Sequence, residues 1–167
     1  MENFKQKLHN ISCFVLDVDG VLTDGSLLLL PSGEQVRTMN IRDGYALHLA
    51  VRKGYRVIVI SGGKSEAVKT RLLGLGIEDV FLGIEDKVGK LKEVMNAYTL
   101  TGKNILYMGD DLPDLNAMKI CGIAACPADA APEIKQISIY ISDKKGGEGA
   151  VRDVIEQTMR LQDKWGE

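Results

Sequence analysis

Five short apolar runs punctuate the chain: Ser12–Leu16, Arg56–Ile60, Asn104–Met108, Gly122–Cys126 and Ser138–Ile141. A sixth, Asp79–Leu82, is shorter. None alternates apolar with polar. A strand with one face in water alternates, because successive side chains point to opposite faces. Continuous runs instead mark parallel strands covered on both faces. Helical patterns with readable ends lie between them. Asp43 is placed to cap a helix through Ala46–Arg52 that stops at Gly54. A second helix covers Ser65–Leu73, and Asp86 can cap a third through Lys90–Ala97. Asp111–Lys119 is shorter, and residues 149–165 carry Val151, Val154, Ile155, Thr158, Leu161 and Trp165 on one stripe. Strand–helix alternation predicts right-handed crossovers and a layered α/β sheet.

The stretch GSLLLLPSGEQ, residues 25–35, breaks this pattern. It reads as a hairpin, with strands Ser26–Pro31 and Glu34–Met39 joined near Ser32-Gly33. Its four consecutive leucines offer apolar surface to both faces. Either they pack on their own domain and leave one face greasy, or hairpins from several subunits pair and bury both faces and the strand edges.

The bulk numbers narrow the function. A length of 167 residues with 45% hydrophobic content fits one domain, residues 1–167. Net charge is −2, from 21 basic and 23 acidic residues, so no electrostatic case exists for nucleic acid or an anionic membrane. Cys13, Cys121 and Cys126 form an odd set without CxxC spacing, which predicts reduced, mostly buried thiols and a cytoplasmic setting. No ligand set for zinc gathers around His9 or His48. No run reaches the roughly 18 apolar residues of a membrane span, and MENFKQKLHN lacks the apolar core of a signal peptide.

Chemistry enters at the strand ends, where α/β sheets place their sites. The first strand ends in Asp17-Val18-Asp19-Gly20, the Arg56–Ile60 run in Ser61-Gly62-Gly63, and the Asn104–Met108 run in Gly109-Asp110-Asp111. Lys87 follows Asp79–Leu82 at a helix start. So many carboxylates would repel one another. A hard cation such as Mg²⁺, which takes one or two carboxylates plus a substrate phosphate oxygen, resolves the repulsion. Of Asp17 and Asp19, one can attack phosphorus while the other protonates the leaving oxygen and then deprotonates water. Lys87, Ser61 and the amides after it can hold phosphoryl oxygens. Singly, each of these residues reads as a helix cap or solvated surface; together at one sheet edge they read as a site. A phospho-accepting regulatory domain also combines an acidic pocket, a hydroxyl and a lysine. It places its phosphorylated Asp after a middle strand, whereas here the acidic pair ends the first. A catalytically weak module of a larger assembly is the third class, and this chain keeps every motif.

DVDGVLTD, then VISG, then EDK, then GDDLPD, in that order, resembles the haloacid dehalogenase (HAD) phosphatase superfamily. The resemblance implies a three-layer Rossmann-like HAD core with a mainly parallel sheet. It implies Asp17 as nucleophile and Asp19 as acid/base. Mg²⁺ would sit on the Asp17 carboxylate, the Asp19 backbone carbonyl and the Asp110 carboxylate. Ser61, Gly62 and Lys87 would bind phosphate, with Asp111 and Asp114 supporting them from behind. More closely, DGSLLLLPSGEQ, NIRDGYAL and the tail GGEGAVRDV resemble the small phosphatases acting on 3-deoxy-D-manno-octulosonate 8-phosphate (KDO 8-phosphate) in lipopolysaccharide biosynthesis. That closer resemblance implies substrate contacts from Asn40, Arg42 and Asp43. It also implies a homotetramer built through the protruding hairpin of residues 25–39, with neighbouring subunits closing each site. Spacing agrees that no cap domain fits, since Asp24 to Arg56 has room only for the hairpin and one helix. Two positions depart from the resembled enzymes: Gly63 and Glu148 stand where they often carry Arg, which would suit a substrate carboxylate. A nine-carbon sugar-acid phosphate is the near alternative. The segment Lys144-Lys145-Gly146-Gly147-Glu148-Gly149 is either a flexible turn or a loop bringing lysines to a site.

Overall fold

The computed structural model describes residues 3–166. In chain order its strands are β1 (Cys13–Leu16), β2 (Leu28–Leu29), β3 (Gln35–Val36), β4 (Arg56–Ile60), β5 (Asp79–Phe81), β6 (Ile105–Met108), β7 (Ile123–Cys126) and β8 (Tyr140–Ile141). Its helices are α1 (Phe4–His9), α2 (Ile41–Arg52), α3 (Glu66–Gly74), α4 (Lys87–Ala97), α5 (Leu115–Lys119), α6 (Pro132–Ile137) and α7 (Ala150–Leu161). Six strands form one parallel sheet in the order β5-β4-β1-β6-β7-β8.

The continuous apolar runs are explained by the two cores. Phe14 and Leu16 of β1 pack with α2 and α7 on one face, while Cys13 and Val15 pack with α4, α5 and α6 on the other. Helices thus cover both faces, giving three layers. Strand order reverses beside β1: β4 and β5 lie on one side, β6 to β8 on the other. Leu16 is in register with both Val59 and Met108, so the residues following β1, β4 and β6 emerge at one edge. A reversal of this kind opens a crevice at the strands' carboxyl ends.

Helix starts carry the caps that the residue types suggest, with one correction. Ser65 caps α3 and Asp86 caps α4. Asp111 caps a 3-10 turn (Leu112–Asp114) leading into α5. α2, however, is capped by Asn40, whose side-chain oxygen accepts the N–H of Arg42 and Asp43. The helix therefore begins before Asp43, which lies inside its first turn. α7 stops at Leu161, because the backbone turns left-handed at Asp163 (φ 55°), yet Trp165 still packs on the core. α1 and α6 were not predicted: each is six residues long with one buried residue, too little to print a stripe.

The hairpin forms, but briefly. β2 and β3 pair antiparallel over only Leu28↔Val36 and Leu29↔Gln35. Leu28 and Leu29 are 63% and 69% exposed, so the leucine run does not pack on its own domain. Neither this segment nor residues 61–87, which hold α3 and β5, forms a cap over the sheet edge. Cys13, Cys121 and Cys126 are all free. Among the described residues, no helix is long and apolar enough to cross a membrane.

Candidate active site

Asp17 extends β1 by one residue, its N–H donating to Met108 O at 3.2 Å. Its Oδ1 accepts the Val18 N–H at 2.6 Å and its Oδ2 lies 2.8 Å from Lys87 Nζ. Lys87 opens α4 and is buried, its Nζ also donating to Asp114 Oδ1 at 2.8 Å. A cation at a helix N-terminus opposes the helix dipole, so both carboxylates are needed to hold it there. Burial acts to lower its pKa; Asp114 and Asp17 outweigh burial and raise it, so Lys87 stays charged. Asp114 is fully used: Oδ1 also accepts the Tyr107 hydroxyl at 2.8 Å, and Oδ2 accepts the Asp110 N–H at 3.2 Å.

One lysine does not balance this cluster. Oxygens of Asp17, Asp110 and Asp114 lie within 4.8 Å of one another. Burial, then Asp114, pushes the Asp17 carboxyl up to about 6 against the pull of Lys87. Burial, then Asp17, Asp114 and Asp111, pushes Asp110 up to about 7. Carboxylates so crowded suit a hard divalent cation. Asp114 is fully buried and does not line the cleft, so Asp17 and Asp110 are the members of this group left to face a cation there. The local backbone is shaped for that contact. Gly20 has φ +81°, and a Cβ there would lie 2.0 Å from Asp110 Oδ2. Only glycine lets the turn after Asp19 press against the Asp110 carboxylate.

The phosphate side lies across the crevice. Ser61 continues β4 with its N–H on Phe81 O at 2.9 Å, and its buried Oγ accepts the Gly63 N–H at 3.2 Å. Asp17, Asp19, Ser61, Gly62, Lys87 and Asp110 line one cleft of about 670 Å³, with Asp111 at its rim. Asp19 is gripped by a residue the sequence did not single out. Arg37 Nε and Nη2 lie 2.6 and 3.1 Å from its two carboxylate oxygens. Nothing in the local pattern separates Arg37 from an ordinary exposed cation beside a hairpin. Tyr107 was missed because it reads as core; its one signal is a phenol in an otherwise apolar run.

Asn40, Arg42 and Asp43 do not line the cleft of Asp17 within the single chain. Asp43 is 1% exposed, its Oδ1 accepting the Arg152 N–H at 2.8 Å near the start of α7. Its Oδ2 has no hydrogen-bond partner among the described residues, and burial raises its pKa. Because α2 begins at Ile41, Asp43 faces α7 rather than the crevice. Asn40, besides capping α2, donates through Nδ2 to Gly147 O at 3.2 Å. Arg42 is exposed and lines a second cavity of about 910 Å³ with Lys144, Glu148, Arg152 and Arg160. The segment 144–149 supports the nucleophile loop from outside: Gly147 N–H donates to Val21 O at 3.1 Å, and a Cβ on Gly146 would lie 1.9 Å from Gly20 O. Lys144 and Lys145 are exposed and do not line the cleft of Asp17.

Residues 83–155 match the haloacid dehalogenase-like hydrolase family. The chain is 34% identical over 158 residues to the 3-deoxy-D-manno-octulosonate 8-phosphate phosphatase of Salmonella typhi, covering 95% of this chain and 84% of that protein. The crystal structure of the Moraxella catarrhalis 3-deoxy-D-manno-octulosonate 8-phosphate phosphatase, in complex with magnesium, phosphate and KDO, superposes with a TM-score of 0.93. It is 32% identical, over 96% of this chain and 92% of that one. The cobalt-bound Haemophilus influenzae deoxy-D-mannose-octulosonate 8-phosphate phosphatase gives a TM-score of 0.90 at 34% identity, over 95% and 92% of the two chains. With that identity running across nearly the whole chain, and the acidic motifs meeting at one sheet edge, this chain belongs to the 3-deoxy-D-manno-octulosonate 8-phosphate phosphatase family of haloacid dehalogenase-like hydrolases.

Proposed function

We propose that this chain is a single-domain, Mg²⁺-dependent phosphomonoesterase that hydrolyses KDO 8-phosphate to KDO and inorganic phosphate. The observation that carries the reading is the buried Asp17 held by Lys87 beside Asp110, at the carboxyl ends of β1 and β6. Asp17 is the nucleophile: a carboxylate oxygen bonds to phosphorus and the ester P–O bond breaks. Asp19 gives its proton to the departing sugar oxygen. Water then attacks phosphorus, Asp19 takes its proton, and the aspartyl-phosphate bond breaks, restoring Asp17. Lys87 holds a Asp17 oxygen and screens the approach of carboxylate to phosphate. Ser61 and Gly62 offer donors to the phosphoryl oxygens. Mg²⁺ held by the Asp17 and Asp110 carboxylates and the Asp19 carbonyl would supply the remaining charge neutralisation.

The cleft has no lid of its own, and phosphoryl transfer gains from excluding water. We place the exposed leucines of the hairpin in a homotetramer whose neighbouring subunits cover each site. The reading also places the enzyme in the cytoplasm, in lipopolysaccharide biosynthesis. A phosphate-release screen with Mg²⁺ over eight- and nine-carbon sugar-acid phosphates and hexose phosphates tests the function. KDO 8-phosphate is expected to give the highest kcat/KM, and Asp17→Asn to abolish it. A clear win for hexose phosphates overturns the substrate, and Mg²⁺-dependent release surviving in Asp17→Asn overturns the mechanism.

A further inference from the structure

Asp19 and Asp17 are two residues apart but are held by different partners. Lys87 takes Asp17, whereas Arg37 takes both oxygens of Asp19 in a fork, at 2.6 and 3.1 Å. The third nitrogen of that guanidinium, Nη1, donates to Gln35 O at 3.1 Å. The backbone of the hairpin's return arm thus fixes the guanidinium, and the guanidinium fixes the carboxylate. The Arg37 side chain is 6% exposed, while that of Asp19 is 37% exposed and keeps an open side toward the cleft. The pair also lies directly on the phosphate turn. A Cβ built on Gly63 would be 3.1 Å from Arg37 Nη2, 3.2 Å from Asp19 Oδ2 and 3.6 Å from Ser61 Oγ. Glycine at 63 leaves that space to the guanidinium.

We propose that Arg37 is a positioning residue for the acid/base Asp19, and that through it the hairpin is part of the catalytic machinery. The physical need is plain. An untethered aspartate rotates about two bonds and, beside a divalent cation and Lys87, is drawn toward positive charge. A bidentate guanidinium offers a competing partner with fixed direction. It holds Asp19 away from the cation and, because each carboxylate oxygen keeps a second lone pair, leaves the cleft-facing lone pairs to carry the proton that Asp19 gives and takes.

This inference rests on the phosphatase reading, and the experiment separates the two. Steady-state kinetics are measured for the wild type, Arg37→Gln, Arg37→Lys, Asp19→Asn and the double variant Asp19→Asn/Arg37→Gln. Light scattering and thermal unfolding monitor assembly and folding. Wild type without Mg²⁺-dependent phosphate release overturns the phosphatase reading itself. With an active wild type, Arg37→Gln is expected to lower kcat by about 10- to 100-fold, the scale of a misplaced catalytic group, with KM little changed. Arg37→Lys, which keeps the charge but loses the fork, is expected to fall between. In the Asp19→Asn background, Arg37→Gln is expected to cost nothing further, because residues acting as one unit are not additive. Wild-type kcat in Arg37→Gln, a loss confined to KM, or an additive loss in the double variant each overturns the proposal. Should Arg37→Gln lose its assembly, the comparison rests on Arg37→Lys with the same criteria.

Discussion

Replacing Gly20 with Ala tests whether the turn after Asp19 and the Asp110 carboxylate form one unit. The added methyl would lie 2.0 Å from Asp110 Oδ2 and 2.4 Å from its Cγ. Real Cβ contacts begin near 3 Å, so the carboxylate or the loop must retreat by about 1 Å. A shift of that size in a catalytic group costs about 100-fold in rate. The φ of +81° adds backbone strain of about 1–2 kcal/mol, which lowers Tm by about 2–8 °C in a chain of this length. Strain and contact are separable here. Gly54 has φ +85° with nothing within 4 Å of its Cβ position, so Gly54→Ala carries the strain alone. Gly54→Ala should show the loss of thermal stability due to strain, and Gly20→Ala at least that much. Only Gly20→Ala should lose about 100-fold in kcat/KM and need more Mg²⁺ for half-maximal rate. Phosphate release titrated with Mg²⁺, alongside thermal unfolding, measures all three quantities. Equal activity of the two variants at equal Mg²⁺ would show that Asp110 does not depend on the close approach of Gly20.

Three further outcomes are expected. Asp17 and Asp110 have carboxyl pKa values raised to about 6 and about 7, so the folded chain holds these protons more tightly than the unfolded chain. Their favourable contribution is complete below the unfolded value near 4 and is lost as pH rises through 6 to 7. Since Mg²⁺ takes the same oxygens, the Mg²⁺-induced rise in Tm should be larger at pH 8 than at pH 5; equal rises would exclude these carboxylates as its ligands. Asp43→Ala strands the Arg152 N–H at the start of α7 and should cost about 1–2 kcal/mol in thermal unfolding with KM nearly unchanged; a many-fold rise in KM at unchanged Tm would return Asp43 to the substrate. Leu28→Lys with Leu29→Lys places charge on the two most exposed hairpin leucines, and light scattering should report loss of the proposed tetramer with a fall in kcat/KM. A monomeric wild type with full activity would refute the assembly.

Much of the site is legible before folding. Asp17, Ser61, Lys87 and Asp110 follow apolar runs, and strands covered on both faces leave polar residues only at their ends. Once the runs are known to be parallel, those ends coincide. The start of α2 was misread for a local reason. Both Asn40 and Asp43 are good helix caps, and sequence spacing does not say which one the helix uses. Tertiary packing chose Asn40, and that three-residue difference turned Asp43 inward against α7.

The sequence by itself determined the layered α/β sheet, the acidic edge, the absence of room for a cap and the anomaly of four adjacent leucines. These follow from short-range rules: periodicity, capping and turn chemistry act within a few residues. Only the tertiary structure decided which groups share charge. Lys87 between Asp17 and Asp114, Tyr107 on Asp114, Arg37 on Asp19, and Gly20 against Asp110 join residues up to 90 positions apart. Such pairings depend on the geometry of loops meeting at a sheet edge. The same side chains would read as ordinary surface or core in any other fold.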